Sequence, residues 1–121
     1  MELKSYKINH LNVENEAIPG SELKLKNTLN YKTKLIEDSN TCVGILDFKL
    51  EDDNDDNDYP FLIDVEMVAE FSYNDEEKED VQEKSFDQVF PYLRVLITQI
   101  ASLVGIPGLV IPIVKLNTTN N

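Results

Sequence analysis

The sequence predicts an α+β domain in which strands come first and one long helix comes last. One change of period carries that reading. Between residues 22 and 73, three runs alternate apolar and polar residues with period two, and after residue 74 apolar residues recur every three or four positions. The length of 121 residues fits one domain rather than two. We read residues 1–116 as that domain and 117–121 as a polar tail.

The first strand is expected within residues 3–13, where the alternation is weak. Ile18-Pro19-Gly20-Ser21 forms a turn cluster. In 22–36, Leu23, Leu25, Leu29, Tyr31 and Leu35 share one parity, and Lys24, Lys26, Lys32 and Lys34 share the other. One wet face at period two is the mark of an antiparallel strand. Glu37–Asn40 is a short polar hairpin loop. The third strand, 41–50, places Cys42, Leu46, Phe48 and Leu50 opposite Asp47 and Lys49. The fourth, 61–73, sets Phe61, Ile63, Val65, Met67, Ala69, Phe71 and Tyr73 against Asp64, Glu66, Glu70 and Ser72. If the lysine strand and the acidic strand share a sheet, their wet faces carry compatible charge.

A helix is expected over about 80–104, from Val81, Phe86, Val89, Phe90, Leu93, Leu96, Ile97, Ile100, Leu103 and Val104. The acids of 75–80 suit its positive start, and Gly105 is a natural stop. Pro91 inside the pattern either kinks the helix or opens a new one. Beyond Pro91 the helix is apolar almost all round, whereas one sheet buries only one side. The rear positions Tyr92, Val95, Gln99 and Leu103 are therefore the candidate oligomer interface, most simply with another copy of the chain.

Charge narrows the partners. The net charge is −12, from 23 acids and 11 bases. Residues 51–58 hold six acids and no base, and residues 75–84 hold six acids and two bases. The scaffold is thus nearly neutral with two acidic segments. The single Arg, Arg94, and the scattered lysines make no phosphate-binding cluster, which disfavours nucleic acid and anionic membrane surfaces.

The residue inventory narrows the chemistry. One Cys, Cys42, and one His, His10, can form neither an internal disulfide nor a typical His/Cys zinc site. Asp53, Asp55 and Asn57 have the spacing of a calcium loop, but Asp58 replaces the required Gly and Asp64 falls in a strand. No nucleotide-binding GxxxxGK[ST] occurs. The expectation is a protein that is not an enzyme and uses no cofactor or metal. Asn117-Thr118-Thr119 matches a glycosylation sequon, but the first sixteen residues lack the apolar run of a secretion signal. Val95–Val114 is long enough to span a membrane and uncharged, but Gly105, Pro107, Gly108 and Pro112 break it, so no span is expected. No disulfide is needed, so these readings allow a reducing cytoplasm, which is the expected location.

The order of elements resembles the SecB family of export chaperones. Phe90-Pro91-Tyr92-Leu93-Arg94-Val95-Leu96-Ile97-Thr98 is similar to the family's FPYxRxxIT segment. Ile106-Pro107-Gly108-Leu109-Val110-Ile111-Pro112-Ile113 is similar to its fPxLxLxP element, and Phe61-Leu62-Ile63-Asp64-Val65 to its FLxEV strand. The resemblance implies a four-stranded antiparallel sheet with one long helix packed on it and an extended Pro-rich tail. It implies a dimer or dimer of dimers that holds unfolded or pre-export clients in apolar grooves. Carried over by position, Leu23 and Leu25 line the client groove, and Leu29, Ile106 and Leu109 extend that candidate client surface. Leu62 and Asp64 match the strand that contacts the translocation motor SecA, and Glu16 matches a second acidic contact; a further acidic position falls on Asn12. The sequence departs from the pattern at Lys115, where the family has Asn, in the acidic loop, and in lacking a counterpart of the family's second helix and C-terminal arm. The missing arm bears on SecA docking more than on client holding. The resemblance also admits a dedicated chaperone of a toxin–antitoxin system, and an interaction protein that reuses the fold without chaperone activity.

Overall fold

The computed structural model describes residues 1–16, 25–52 and 61–105. Four strands, β1 (Glu2–Asn15), β2 (Leu25–Ile36), β3 (Thr41–Asp52) and β4 (Phe61–Ser72), form one sheet, and a helix, α1 (Val81–Leu103), packs on it. Every pairing is antiparallel and the order is β1-β4-β3-β2, so β1 and β2 are the two edges.

The predicted parities set the two faces. Phe61, Ile63, Val65, Met67, Ala69 and Phe71 of β4 and Cys42, Leu46, Phe48 and Leu50 of β3 are buried under the helix. From α1, Val81, Phe86, Val89, Phe90, Leu93, Ile97, Ile100 and Ala101 meet them. Each large side chain buried there contributes about 1.5–3 kcal/mol relative to exposure. Cys42 is fully buried as a small strand hydrophobe. Its thiol pKa is raised by burial.

Several boundaries differ from expectation. β1 runs from Glu2 to Asn15, longer than the predicted 3–13. Its pattern is weak because register shifts between Leu3 and Ser5 and between Ile8 and His10 each insert a residue. Leu3, then Tyr6 and Ile8, then Leu11 and Val13 therefore share one face despite changing parity. The lysine strand does not neighbour the acidic strand, because the hairpin after β2 puts β3 between them: Lys26, Lys32 and Lys34 stand opposite Glu51, Ile45 and Val43. The hairpin closes through a short 3-10 turn, Glu37–Ser39, ending at Asn40 in the left-handed region with φ 51°.

The acidic segment 75–80 is a 3-10 turn before the helix. Asn74 and Glu77 form a reciprocal capping box across it, satisfying two backbone donors. Lys78 pairs with Glu37 and ties this turn to the β2–β3 hairpin, and that hydrogen bond and charge lower the Glu37 pKa. The helix is continuous through Pro91, which lies on its exposed side. Among the described residues no helix is long and apolar enough to cross a membrane. Glu51 and Asp52, predicted to open the acidic loop 51–58, instead extend β3; the rest of that loop and the predicted Pro-rich tail lie outside the described residues.

Candidate functional surfaces

Two surfaces stand out, one on each side of the sheet. The first is an apolar groove between the edge strand β1 and the helix. It is lined by Tyr6, Ile8, Met67, Tyr92, Val95 and Leu96, with Gln99 at its rim. Tyr6 and Tyr92 meet across it with their rings tilted by 36° and centroids 4.8 Å apart, yet they remain 47% and 45% exposed. Val95 is 57% exposed and Leu103, further along the helix, 85%. Leu11 continues the same face of β1 and is exposed as well.

The physical cause is geometric. The helix covers β3 and β4 and leaves the inner face of β1 only partly roofed. On the second apolar side of α1, Tyr92 and Val95 then face the uncovered residues of β1. Of the predicted interface residues, Tyr92, Val95 and Gln99 come together here, while Leu103 sits beyond them at the helix end. Tyr6 and Ile8 were not singled out by sequence reasoning. The signal for them was their place on the inner face, which the two register shifts disguise.

That end of the helix is tied to β1. Asn15 Nδ2 donates to the Val104 carbonyl at 2.5 Å, satisfying one of the orphaned terminal carbonyls. Gly105 follows with φ 100°, a left-handed value that only glycine adopts without strain.

The second surface is the outer face of the sheet. Asp64 and Glu66 on β4, Asp47 on β3 and Glu14 on β1 lie there, with His10 and Asn9. Asp47 stands directly opposite Glu66. Burial, the Glu66 charge and a hydrogen bond with Glu66 raise the Asp47 pKa, and Lys32 opposes this. Asn9 Nδ2 donates to Glu66 at 2.7 Å, and His10 Nε2 lies 3.9 Å from Asp64. The three residues carried over as a motor contact are brought near one corner. Leu62 pairs with Glu14 and Asp64 with Asn12, while Glu16 follows the last β1 pair, Asn15 with Phe61.

The predicted client residues divide. Leu25 and Leu29 lie half-buried on the inner face of β2, against the rim of the core. Leu23, Ile106 and Leu109 lie outside the described residues.

The order β1-β4-β3-β2 with one helix on one face is a SecB-like fold. Among solved structures the chain is similar to the Mycobacterium tuberculosis SecB-like chaperone Rv1957, in complex with a ChAD peptide from the Rv1956 HigA1 antitoxin. The TM-score is 0.74 at 14% identity, covering 97% of this chain and 92% of that one. No protein-family model and no curated protein matches the sequence.

Proposed function

We propose that this protein is a SecB-like holding chaperone that works without catalysis or cofactor. The observation that carries the reading is apolar surface left open along Tyr6, Ile8, Tyr92 and Val95 in a fold shared with a chaperone. Such surface seeks a partner. Part of it serves self-association, through the open inner face of β1 and the rear of α1, into a dimer or dimer of dimers. Unfolded clients occupy apolar positions elsewhere, starting with Leu25 and Leu29. The net charge of −12 keeps an assembly with open grease soluble. Several grooves on one oligomer raise the effective concentration for a long unfolded chain. Each client contact is worth about 25 cal/mol per Å² of apolar area buried.

Two destinations for the client follow. Handoff to SecA in the cytoplasm uses the corner formed by Glu16, Leu62 and Asp64. Service to a single antitoxin is the second reading, and it is favoured by the antitoxin peptide bound to the structural neighbour. An aggregation-suppression assay with several unrelated unfolded proteins tests the proposal. Broad suppression at stoichiometric amounts is expected of a general holder, and suppression of one client only indicates a dedicated chaperone. Suppression of none overturns the reading and leaves an interaction protein reusing the fold.

A further inference from the structure

The two edges of the sheet are guarded differently. β1 is broken by two register shifts, a common device for blunting an edge. β2 has none: its 12 residues pair with β3 in unbroken register from Leu25–Asp52 to Ile36–Thr41. Among the described residues its other edge has no strand partner. Such a regular edge is a template for an added strand.

Charge says which strand fits. In a protein of net charge −12, β2 carries three lysines and no acid. Lys26, Lys32 and Lys34 are all exposed on the outer face; Lys26 stands opposite Glu51 and the Lys32 charge acts on Asp47, but among the described residues no carboxylate lies within 4.0 Å of any of the three. On the other face Leu25, Leu29, Thr33 and Leu35 are half-buried, so an incoming strand finds an apolar shelf there. A second copy of β2 is a poor occupant. Antiparallel self-pairing sets one row of lysines beside another, and facing like charges are destabilising. A basic or neutral segment gains nothing from the lysine row.

We propose that the β2 edge binds an extended client segment that alternates apolar and acidic residues, by strand addition. The backbone ladder supplies register, the leucine shelf takes the apolar side chains, and Lys26, Lys32 and Lys34 pair with the acids. The lysines thus bar self-pairing and select the guest. The one described contact an incoming strand must displace is the long hydrogen bond from Gln82 Nε2 to the Tyr31 carbonyl, at 3.5 Å. The inference deepens the holding function and rests on it for the guest being an unfolded chain.

The test uses the full chain and two peptides as long as β2, one alternating Leu with Glu, the other alternating Leu with Lys. Fluorescence anisotropy at low salt should show the Glu peptide binding roughly tenfold more tightly, since two to three partly exposed cross-strand ion pairs separate the two. Hydrogen exchange should slow at β2 amides, and the double variant Lys32→Glu/Lys34→Glu should reverse the preference. Equal binding, no binding of either peptide, or protection confined to β1 and α1 overturns the inference. The aggregation assay fails or succeeds independently, so loss of the peptide preference alone leaves the holding function standing.

Discussion

The Tyr31 hydroxyl lies 2.6 Å from the Ser85 hydroxyl, joining the edge strand β2 to the first turns of α1 inside the core. Ser85 also donates to the Gln82 carbonyl at 3.2 Å. The Tyr31 ring packs edge-on to Phe86, which stacks on Phe90. Burial pushes the phenol pKa up to about 12, so the group stays a neutral donor across the working pH range. Tyr31→Phe removes one buried hydrogen bond but keeps the packing, and should cost about 1 kcal/mol in urea unfolding.

The same ring explains a glycine. A methyl group at Gly44 would meet the Tyr31 hydroxyl first and lie 2.9 Å from ring carbon Cζ. Gly44 stands between Thr33 and Ala69 in the ladder, so small neighbours leave the slot that the ring fills. Gly44→Ala should destabilise by about 1–3 kcal/mol through overpacking. Combined with Tyr31→Phe, the cost should fall below the sum of the two single changes, because the closest overlap is with the hydroxyl. Strict additivity in a double-mutant cycle would show that the ring moves freely.

Asp47 and Glu66 oppose each other across β3 and β4, which costs stability at neutral pH. The Asp47 pKa is raised above its ordinary value. The folded state therefore holds its proton more tightly than the unfolded one, and stability falls as pH rises through the folded pKa. The penalty is absent below the unfolded value near ~3.9 and complete above the folded one. Asp47→Asn should gain about 0.5 kcal/mol at pH 7. The gain should vanish at acid pH, as urea unfolding at both values would reveal.

Val95 should matter to assembly and little to the fold. Its side chain is exposed in the groove beside Tyr92. Val95→Glu should change the stability of the isolated protomer by no more than about 0.5 kcal/mol. Calibrated light scattering at micromolar concentration should show the variant shifting to smaller species. An unchanged assembly would place the interface elsewhere.

Sequence patterning made the sheet's core strands plain, and the reason lies in burial. β3 and β4 are covered on one face along their whole length, so the inward parity is apolar or Gly throughout from Cys42 to Leu50 and from Phe61 to Tyr73, even though Val43, Ile45, Leu62 and Val68 put apolar residues on the outer parity. β1 was faint because the insertions near Lys4 and Asn9 twice switch which parity points inward. The helix stripe was legible, as was its exposed second side at Tyr92, Val95 and Leu103. The partner of that side was not. Met67 and Tyr6 meet Tyr92 and Val95 only because β1 pairs with β4, and no local pattern encodes the order of strands. The separation of the lysine strand from the acidic strand escaped for the same reason.

Asp64 offers the sharpest test of the outer face. It is only partly exposed, pairs in register with Lys49 on one side and Asn12 on the other, and has His10 at 3.9 Å. Glu66, Asp47 and Glu14 surround it, so the local field is negative, and a partner attracted there must be basic. Asp64→Lys reverses one charge at the centre of this patch and leaves the core face of β4 untouched. If the proposed handoff to SecA uses this corner, the change should weaken capture of purified SecA about tenfold, and capture by the unaltered protein should strengthen as salt is lowered. Leu62→Ala, which removes apolar area beside it, should weaken capture without changing the salt dependence. Should a demonstrated SecA interaction survive Asp64→Lys unchanged, the contact does not lie on this corner of the sheet.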